Sequence, residues 1–291
     1  MNPENTSVLL IYTGGTIGMI ENPETGALEA FNFDQLQDNV PELKRFNYRI
    51  SSYQFNPPID SSDMEPALWA KLVKIIKYNY DNFDGFVILH GTDTMAYTAS
   101  ALSFMLENLS KPVILTGSQL PIGMLRTDGK ENLITSIEIA AAKHPNGTAI
   151  VPEVCIFFEN HLLRGNRTTK INAENFNAFR SYNFPSLATA GIHIKYEYDR
   201  IHKADPNLPL KPHYLYDTNV IILTFSRASR KHDQQYPAYT GITRSGIKNL
   251  RFGQRSAKAM VHRTSKGCHF TGNHHCQHLP MLYRNSGNGK I

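Results

Sequence analysis

Thr16, Thr92 and Asp93 are the residues whose types and positions first point to chemistry in this sequence. Each lies in a polar turn that contains glycine and follows a short apolar run. A third run of this kind ends in Ser118 and Gln119. Hydroxyl, carboxylate and amide groups can hydrogen-bond a polar ligand and share protons with it. The repeated pattern therefore indicates a binding or catalytic site built from several turns.

The apolar runs that precede these turns have the length of buried β-strands. They are residues 8–12, 86–89 and 112–116, and glycine ends each of them by permitting backbone angles that other residues avoid. In an open α/β sheet, ligands bind outside the carboxyl ends of parallel strands. We therefore expect the three polar turns to meet at one edge of a sheet.

Asp60 and Ser61 are further candidates, in a segment where two serines lie between two carboxylates. Asp63, with Pro66 three residues later, is typical of the start of a helix, predicted here over residues 65–80. Capping by Asp63 leaves Asp60 and Ser61 unexplained, so these two residues are the site candidates of the segment.

The residues 92–94 have two roles in the prediction. One of them is the expected N-cap of a helix over residues 95–109. A helix start at the carboxyl end of a strand also offers free N–H groups and the positive end of a dipole, which suit a substrate carboxylate.

The fold class follows from the alternation of strands and helices. A third helix is predicted over residues 128–143, and further strands over 47–55 and 153–158, with a short helix at most over 33–43. Four strand–helix alternations predict an α/β fold with a mostly parallel sheet and helices on both faces. Residues 20–27 form a loop beside the first polar turn, which is either a lid or an ordinary surface loop.

The composition favours a soluble, cytoplasmic protein. The chain has 291 residues, of which 41% are hydrophobic, and it contains no apolar tract of the length that crosses a bilayer. Its first residues do not resemble a secretory signal, and its three cysteines are too few for a disulfide framework. We therefore expect no membrane partner.

The charge is divided unevenly between two kinds of sequence. Residues 1–224 carry a formal charge of −6, whereas residues 225–291 carry +11 and show neither helical nor strand periodicity. Residues 203–219 contain three prolines and are predicted to be an extended linker. Residues 220–224 have the pattern of a strand that opens another domain.

Five motifs in register give the first part of the chain a family resemblance. It resembles the bacterial L-asparaginases, closest to the cytoplasmic type I enzymes, over residues 1–224. The motifs are residues 13–18 (TGGTIG), 60–64 (DSSDM), 90–95 (HGTDTM), 116–119 (TGSQ) and 164–170 (RGNRTTK).

The resemblance implies the activity and the site residues. Thr16 is the expected nucleophile on the side-chain amide of L-asparagine, and the products are aspartate and ammonia. A second catalytic cluster and a substrate-binding segment are also implied, with Thr92 and Asp93 contributing to both. The cluster is Thr92, Asp93 and Lys170, and the segment is Asp60, Ser61 and Ser62. The family needs no metal or cofactor, and it forms homo-oligomers, dimers or tetramers, with active sites between subunits.

The residue types suit this chemistry. A threonine hydroxyl is a poor nucleophile at neutral pH, and an acyl-enzyme intermediate divides the hydrolysis into two easier steps. Asp93 can orient Lys170, and a lysine close to its neutral form can accept the proton of Thr92. Thr16 is activated either by Thr92 with Lys170 or by another group. The preference for asparagine over glutamine, which differs by one methylene, is not decided by these motifs.

Two parts of the chain depart from the family. Residues 24–28 lack the tyrosine that the family's mobile loop often carries. The family's C-terminal α/β domain is largely missing, because nothing in residues 225–291 matches it. We expect a catalytic N-terminal domain over residues 1–202, a linker over 203–219, and a first strand followed by a disordered basic tail over 220–291. A coding-frame shift near residue 225 would produce such a tail, and a catalytically defective homologue is then the alternative function.

The basic tail allows two other hypotheses. Its charges are interspersed with Phe252, Phe270 and Tyr283, a composition that can contact nucleic acid. It contains no recognised nucleic-acid module, so this partner is the less favoured one. A zinc site is the other hypothesis, although its potential ligands match no established four-ligand spacing. These potential ligands are Cys268, His269, His274, His275, Cys276 and His278.

Overall fold

A central eight-stranded sheet dominates the first of two compact units, which comprises residues 1–215. The computed structural model describes residues 6–21, 28–30, 40–205, 207–215, 220–224, 258–264 and 267–270. The strands in chain order are β1 Ser7–Tyr12, β2 Met19–Glu21, β3 Leu28–Ala30, β4 Arg49–Gln54, β5 Gly85–Leu89, β6 Leu106–Glu107, β7 Val113–Thr116, β8 Val154–Phe158, β9 His161–Arg164, β10 Thr169–Lys170, β11 Phe179–Arg180, β12 Ala188–Thr189, β13 Lys195–Tyr196, β14 Lys211–Pro212, β15 Val220–Thr224, β16 Lys258–Thr264 and β17 Gly267–Phe270.

The sheet is parallel over most of its width. Its strand order is β13-β12-β9-β8-β7-β5-β1-β4. Five neighbouring strands pair in parallel, in the order β4, β1, β5, β7 and β8, whereas β9, β12 and β13 extend the sheet with antiparallel pairs. The predicted fold class, a mostly parallel sheet with helices, is confirmed.

Helices cover both faces of the sheet because the side chains of its strands alternate between two hydrophobic clusters. Along β1, Leu9 and Ile11 belong to the cluster that includes helices α1 (Pro66–Asn79) and α2 (Met95–Met105). Val8 and Leu10 belong to the other cluster, which includes helix α3 (Gly129–Ala141). All four of these β1 side chains are buried, as expected for a strand with both faces covered.

The helices are shorter than predicted, and one predicted cap is wrong. Asp63 does not cap α1: the N-cap position is Glu65, which makes no side-chain cap bond, and Pro66 occupies the first turn. Proline needs no partner there, because it has no N–H group to satisfy. Helix α2 ends at Met105 because the next residues turn into β6, which pairs with β14.

Several smaller elements lie in stretches that the sequence left as loops or linker. Strands β2 and β3 pair on either side of residues 22–27, and β14 lies within the predicted linker. Residues 41–45 form a 3-10 turn. In the second unit, residues 216–291, the strands β15, β16 and β17 form an antiparallel sheet.

Several predictions concern residues outside the described ones. They are most of the short helix predicted over 33–43, residues 22–27 of the loop 20–27, and most of the basic tail with the residues of the zinc hypothesis beyond His269. Among the residues that the structure describes, no group of three or more histidine, cysteine, aspartate or glutamate side chains is arranged to hold a metal. None of the described helices combines the length and the apolar character needed to cross a membrane.

Candidate active site

The turn after β1 brings three polar segments together through its glycine backbone. Gly14 and Gly15 have φ angles of 138° and 91°, which favour glycine. A Cβ atom on Gly14 would collide with the Ile59 carbonyl oxygen, and one on Gly15 would lie 2.5 Å from the Gly91 nitrogen. The main chain of this turn therefore touches the residues that directly precede Asp60 and Thr92.

Gly117 makes a similar close approach after β7. A Cβ atom on Gly117 would collide with the carbonyl oxygen of His90. The His90 N–H group donates to the Thr116 carbonyl oxygen at 2.9 Å, and the Thr13 N–H group donates to the Leu89 carbonyl oxygen at 3.0 Å. The ends of β1, β5 and β7 are thus joined main chain to main chain, as expected for parallel strands whose turns form one site.

Thr16 begins a 3-10 turn, Thr16–Gly18, and its side chain is partly exposed. The Tyr12 hydroxyl donates to the carbonyl oxygens of Gly15 and Gly18, at 3.4 and 3.2 Å. Burial raises the pKa of Tyr12 to about 12, so this hydroxyl keeps its proton at neutral pH. Tyr12 therefore anchors the backbone on both sides of Thr16.

Lys170 links the two polar residues that follow β5. Its Nζ atom donates to Thr92 Oγ1 at 2.7 Å and to Asp93 Oδ1 at 2.8 Å. The Lys170 side chain is 15% exposed, whereas that of Asp93 is 67% exposed. The amine is thus held in a mostly enclosed position by a carboxylate that water can reach. This pair of bonds can position a proton donor or acceptor at Thr92.

Gln119 completes the surroundings of Thr92 and was not among the predicted site residues. The Thr92 hydroxyl donates to Gln119 Oε1 at 3.2 Å, while Gln119 Nε2 donates to the carbonyl oxygens of Ala173 and Asn175, both at 3.0 Å. The available signal was its place in the polar turn after β7. Gln119 joins the Lys170 cluster to the segment that follows Lys170.

Asp60 caps a short turn. We expected capping to account for Asp63 but not for Asp60, and the structure corrects this. Asp60 Oδ1 accepts hydrogen bonds from the amide and the hydroxyl of Ser62, at 2.8 and 2.9 Å. These bonds lower the pKa of Asp60 below its ordinary value. Local turns of this kind satisfy aspartate readily, so Asp60 stabilises the 3-10 turn Ser61–Asp63. Its remaining carboxylate surface is exposed to solvent.

Ser61 connects this turn to the start of α2. Its side chain is buried, and its carbonyl oxygen accepts a 2.6 Å hydrogen bond from the Thr94 hydroxyl. Thr94 occupies the predicted N-cap position but makes no side-chain cap bond, because its hydroxyl is used for Ser61. The substrate-binding candidates and the residues after β5 are therefore tied together at the N-terminus of α2.

The seven predicted site residues thus fall into three connected groups at one edge of the sheet. Hydrogen bonds join Thr92, Asp93 and Lys170, and others join Asp60 with Ser62. The turn that carries Thr16 contacts both groups through the glycine backbone. Such an arrangement can combine a nucleophilic hydroxyl, a proton relay and an anionic binding surface.

The comparisons with known proteins identify the family and several relatives of this chain. Residues 7–202 match the family model described as Asparaginase, N-terminal. The chain is 49% identical over 197 residues to L-asparaginase 1 of Escherichia coli K12, a match covering 66% of this chain and 55% of that protein. It is 42% identical over 238 residues to the 60 kDa lysophospholipase of Homo sapiens, covering 74% of this chain and 40% of that protein.

A solved structure shows the same similarity in three dimensions. L-asparaginase I from Vibrio cholerae superposes with a TM-score of 0.64 at 44% sequence identity, and the match covers 72% of this chain and 61% of that one. The chain spans about half the length of the curated relatives that it matches.

Proposed function

Because this chain belongs to the asparaginase family, matched over residues 7–202, we propose that it hydrolyses L-asparagine to L-aspartate and ammonia. The observation that carries this proposal is the hydrogen-bonded cluster of Lys170, Thr92 and Asp93. This cluster lies beside the turn that presents Thr16. Relatives named L-asparaginase support the choice of substrate.

The first half of the reaction uses Thr16 as the nucleophile. Its hydroxyl oxygen attacks the side-chain amide carbon of asparagine while its proton passes to a neighbouring base, and the amide oxygen becomes negatively charged. Main-chain N–H groups at the glycine turn stabilise that oxygen. Such a donor is worth about 3 to 4 kcal/mol. The tetrahedral intermediate then breaks its C–N bond, ammonia leaves with the transferred proton, and an aspartyl ester remains on Thr16.

The second half of the reaction uses water. In this step the Thr92 hydroxyl turns its proton from Gln119 to Lys170. Thr92 accepts a proton from the attacking water while an uncharged Lys170 amine accepts the proton of Thr92, so that no charge accumulates on the hydroxyl. Asp93 keeps the Lys170 amine in place through its 2.8 Å contact. The ester bond breaks, aspartate leaves, and the proton held by Lys170 returns through Thr92 to the Thr16 oxygen.

Substrate binding falls to charged and polar groups on both sides of Thr16. The carboxylates of Asp60 and Asp93 attract the substrate ammonium group. Ser61, Ser62, Thr92 and the N–H groups at the start of α2 accommodate its carboxylate, because a helix N-terminus favours an anion. The lowered pKa of Asp60 keeps its carboxylate charged at neutral pH.

Ammonia release from L-asparagine by the purified full chain tests this function. We expect release by the unaltered chain and a loss of at least about 10³-fold in the variant Thr16→Ala, since the acyl intermediate then cannot form. The matched control is Thr148→Ala, which removes a threonine hydroxyl whose partner is Asn146 in an exposed turn. Lysophosphatidylcholine serves as a second substrate, because one relative is named a lysophospholipase. Hydrolysis of that ester with no ammonia release, or full activity of Thr16→Ala, would contradict the proposal.

The remaining parts of the proposal concern the protein as a whole. Residues 1–202 are the catalytic domain and 203–219 a linker, and the protein is a cytoplasmic homo-oligomer of the type I class, a dimer or tetramer. A coding-frame shift near residue 225 accounts for the basic sequence that follows, where the family match has already ended. Light scattering of the purified protein tests the oligomer. Sequencing the gene tests the frame shift, because an alternative frame would encode the rest of the family's C-terminal domain.

A further inference from the structure

His90 is a buried imidazole that the proposed reaction does not use. It is 1% exposed, and each ring nitrogen has a hydrogen-bond partner. Nδ1 lies 2.7 Å from the Gly91 carbonyl oxygen, and Nε2 lies 2.9 Å from Thr98 Oγ1. Thr98 Oγ1 in turn accepts a 3.0 Å hydrogen bond from Trp69 Nε1. These contacts form a continuous chain from α1 through α2 to the residue that precedes Thr92.

The groups at the two ends of this run of hydrogen bonds, the Trp69 indole and the Gly91 carbonyl, determine where the protons lie. An indole N–H group can only donate, so the Thr98 hydroxyl accepts from Trp69 and has its own proton for His90 Nε2. A carbonyl oxygen can only accept, so His90 Nδ1 must carry a proton for Gly91. A neutral imidazole with the proton on Nδ1 satisfies both conditions. Burial acts in the same direction, because it lowers the pKa of His90 to about 4.

This arrangement sets the orientation of the peptide between Gly91 and Thr92. The peptide is trans, so its N–H group points opposite to its C=O group. With the Gly91 carbonyl held against His90, the Thr92 N–H group must point away from the imidazole. The Gly91 Cα atom, at which this peptide begins, lies against the turn of Thr16, since a Cβ atom on Gly15 would be 2.6 Å from it. A displacement of this peptide would therefore disturb Thr92 and the turn of Thr16 together.

We propose that His90 is a positioning residue for the amide hydrolysis, acting through the Nδ1–H bond that fixes the Gly91–Thr92 peptide. This inference rests on the proposed function, because the hydroxyl it positions is the one in contact with Lys170. His90 does not touch the substrate in this role. It exchanges no proton during the reaction, and Thr98 and Trp69 keep its tautomer constant.

Two amide variants separate the two sides of the ring. In His90→Asn the side-chain N–H group replaces Nδ1, whereas in His90→Gln the amide reaches the place of Nε2 and leaves the Gly91 carbonyl without its donor. We expect His90→Asn to keep kcat within about 3-fold of the unaltered chain and His90→Gln to lose about 30- to 100-fold, since small displacements of reacting groups cost about 100-fold. KM should change less than kcat in both. Equal kcat values in two folded variants, or a larger loss in His90→Asn, would overturn the proposal.

Variants of Thr98 test the same hydrogen bonds with the imidazole of His90 still present. Thr98→Val removes the hydroxyl bond to Nε2 at nearly constant volume, and Thr98→Ser keeps it. We expect kcat to fall about 10-fold in Thr98→Val and to be restored in Thr98→Ser, because the valine variant removes the hydroxyl that holds the imidazole ring in position against the Gly91 carbonyl. Unchanged kcat in Thr98→Val would contradict the proposal even if the His90 variants fail to fold.

Nitrogen-15 NMR of the imidazole gives a readout that needs no activity. In the unaltered full chain we expect His90 to remain neutral with the proton on Nδ1 from about pH 5.5 to 8, where an unperturbed histidine would titrate. An Nε2–H tautomer or a titration in this range would overturn the proposal. If the unaltered chain releases no ammonia while the NMR result is as expected, the proposed function fails and the hydrogen-bond chain still stands as structure.

Discussion

Lys170 and Thr92 are joined by a 2.7 Å hydrogen bond although 78 positions separate them in the chain. Thr92 lies in the turn after β5, the middle one of the five parallel strands, and Lys170 belongs to the two-residue strand β10. The chain must complete β7, α3, β8 and β9 before the amine can reach the hydroxyl. The proposed catalytic cluster is therefore a product of the whole first unit rather than of a local motif.

Replacing Lys170 tests the proposed proton relay. We expect Lys170→Met to lower kcat for asparagine hydrolysis by about 10²- to 10⁴-fold, since it removes the amine and keeps most of the aliphatic stem. Steady-state ammonia release measures the effect. The control is Lys195→Met, which removes a lysine that is 80% exposed and forms an ion pair with Glu197 at 3.7 Å. An active Lys170→Met variant would remove the relay from the mechanism.

Removing the hydroxyl of Tyr12 is expected to lower both kcat and the free energy of unfolding. Tyr12→Phe keeps the buried ring but releases the carbonyl oxygens of Gly15 and Gly18. We expect a loss of about 1 to 3 kcal/mol in the free energy of unfolding, together with a fall of about 10-fold in kcat. Denaturant unfolding and ammonia release give the two values. The control is Tyr196→Phe, which changes a tyrosine on β13, the outermost strand on the side of the sheet away from β1. It should leave kcat unchanged. Equal kcat values for both variants would show that the Thr16 turn does not depend on its tyrosine anchor.

The glycine turn should tolerate no side chain. In Gly14→Ala the new Cβ atom would collide with the Ile59 main chain at a φ of 138°. We expect a destabilisation of at least about 3 kcal/mol, or failure to fold, because both the backbone angle and the space are unsuitable. The control is Gly191→Ala, where the nearest atom would lie 3.9 Å from the new Cβ. Its effect should stay within about 1 kcal/mol. Melting temperatures of the two variants measure the difference, and similar values would contradict the described turn.

The stability of the protein should depend on pH through His90. Its pKa is lowered from 6.5 to about 4 in the folded protein, so between these values the unfolded chain binds more protons. Stability is therefore highest above about pH 6.5 and falls by up to about 3 kcal/mol as the pH decreases to 4. Urea unfolding at several pH values measures this slope. The slope should be smaller in His90→Asn, and an unchanged slope would assign the acid sensitivity to other groups.

The sequence predicted the strands and their polar turns because a buried parallel strand leaves a clear local pattern. β1, β5 and β7 are short apolar runs ended by glycine, and no distant contact is needed to recognise them. Strands β12 and β13 have two residues each, which is too short for any periodicity. They exist because they pair with β9 and with each other at one edge of the sheet.

The capping errors and the missed residues have a different cause. Asp60 and Asp63 are equivalent as local patterns, since either can cap a turn, and only the observed backbone path selects Asp60. His90 belongs to a polar turn in sequence, yet its ring points into the core because Thr98 and Gly91 supply both hydrogen bonds there. Spacing along the chain contains no information on such tertiary partners.

The close main-chain contacts at Gly14, Gly15 and Gly117 have a consequence for how new specificities can arise. Where the strand ends meet, the floor beneath the reacting groups consists of backbone atoms, and any side chain added there collides with them. Point mutations therefore cannot gradually remodel that floor. A change in the ligand that this site accepts must instead come from side chains around that floor, such as the exposed Ser62.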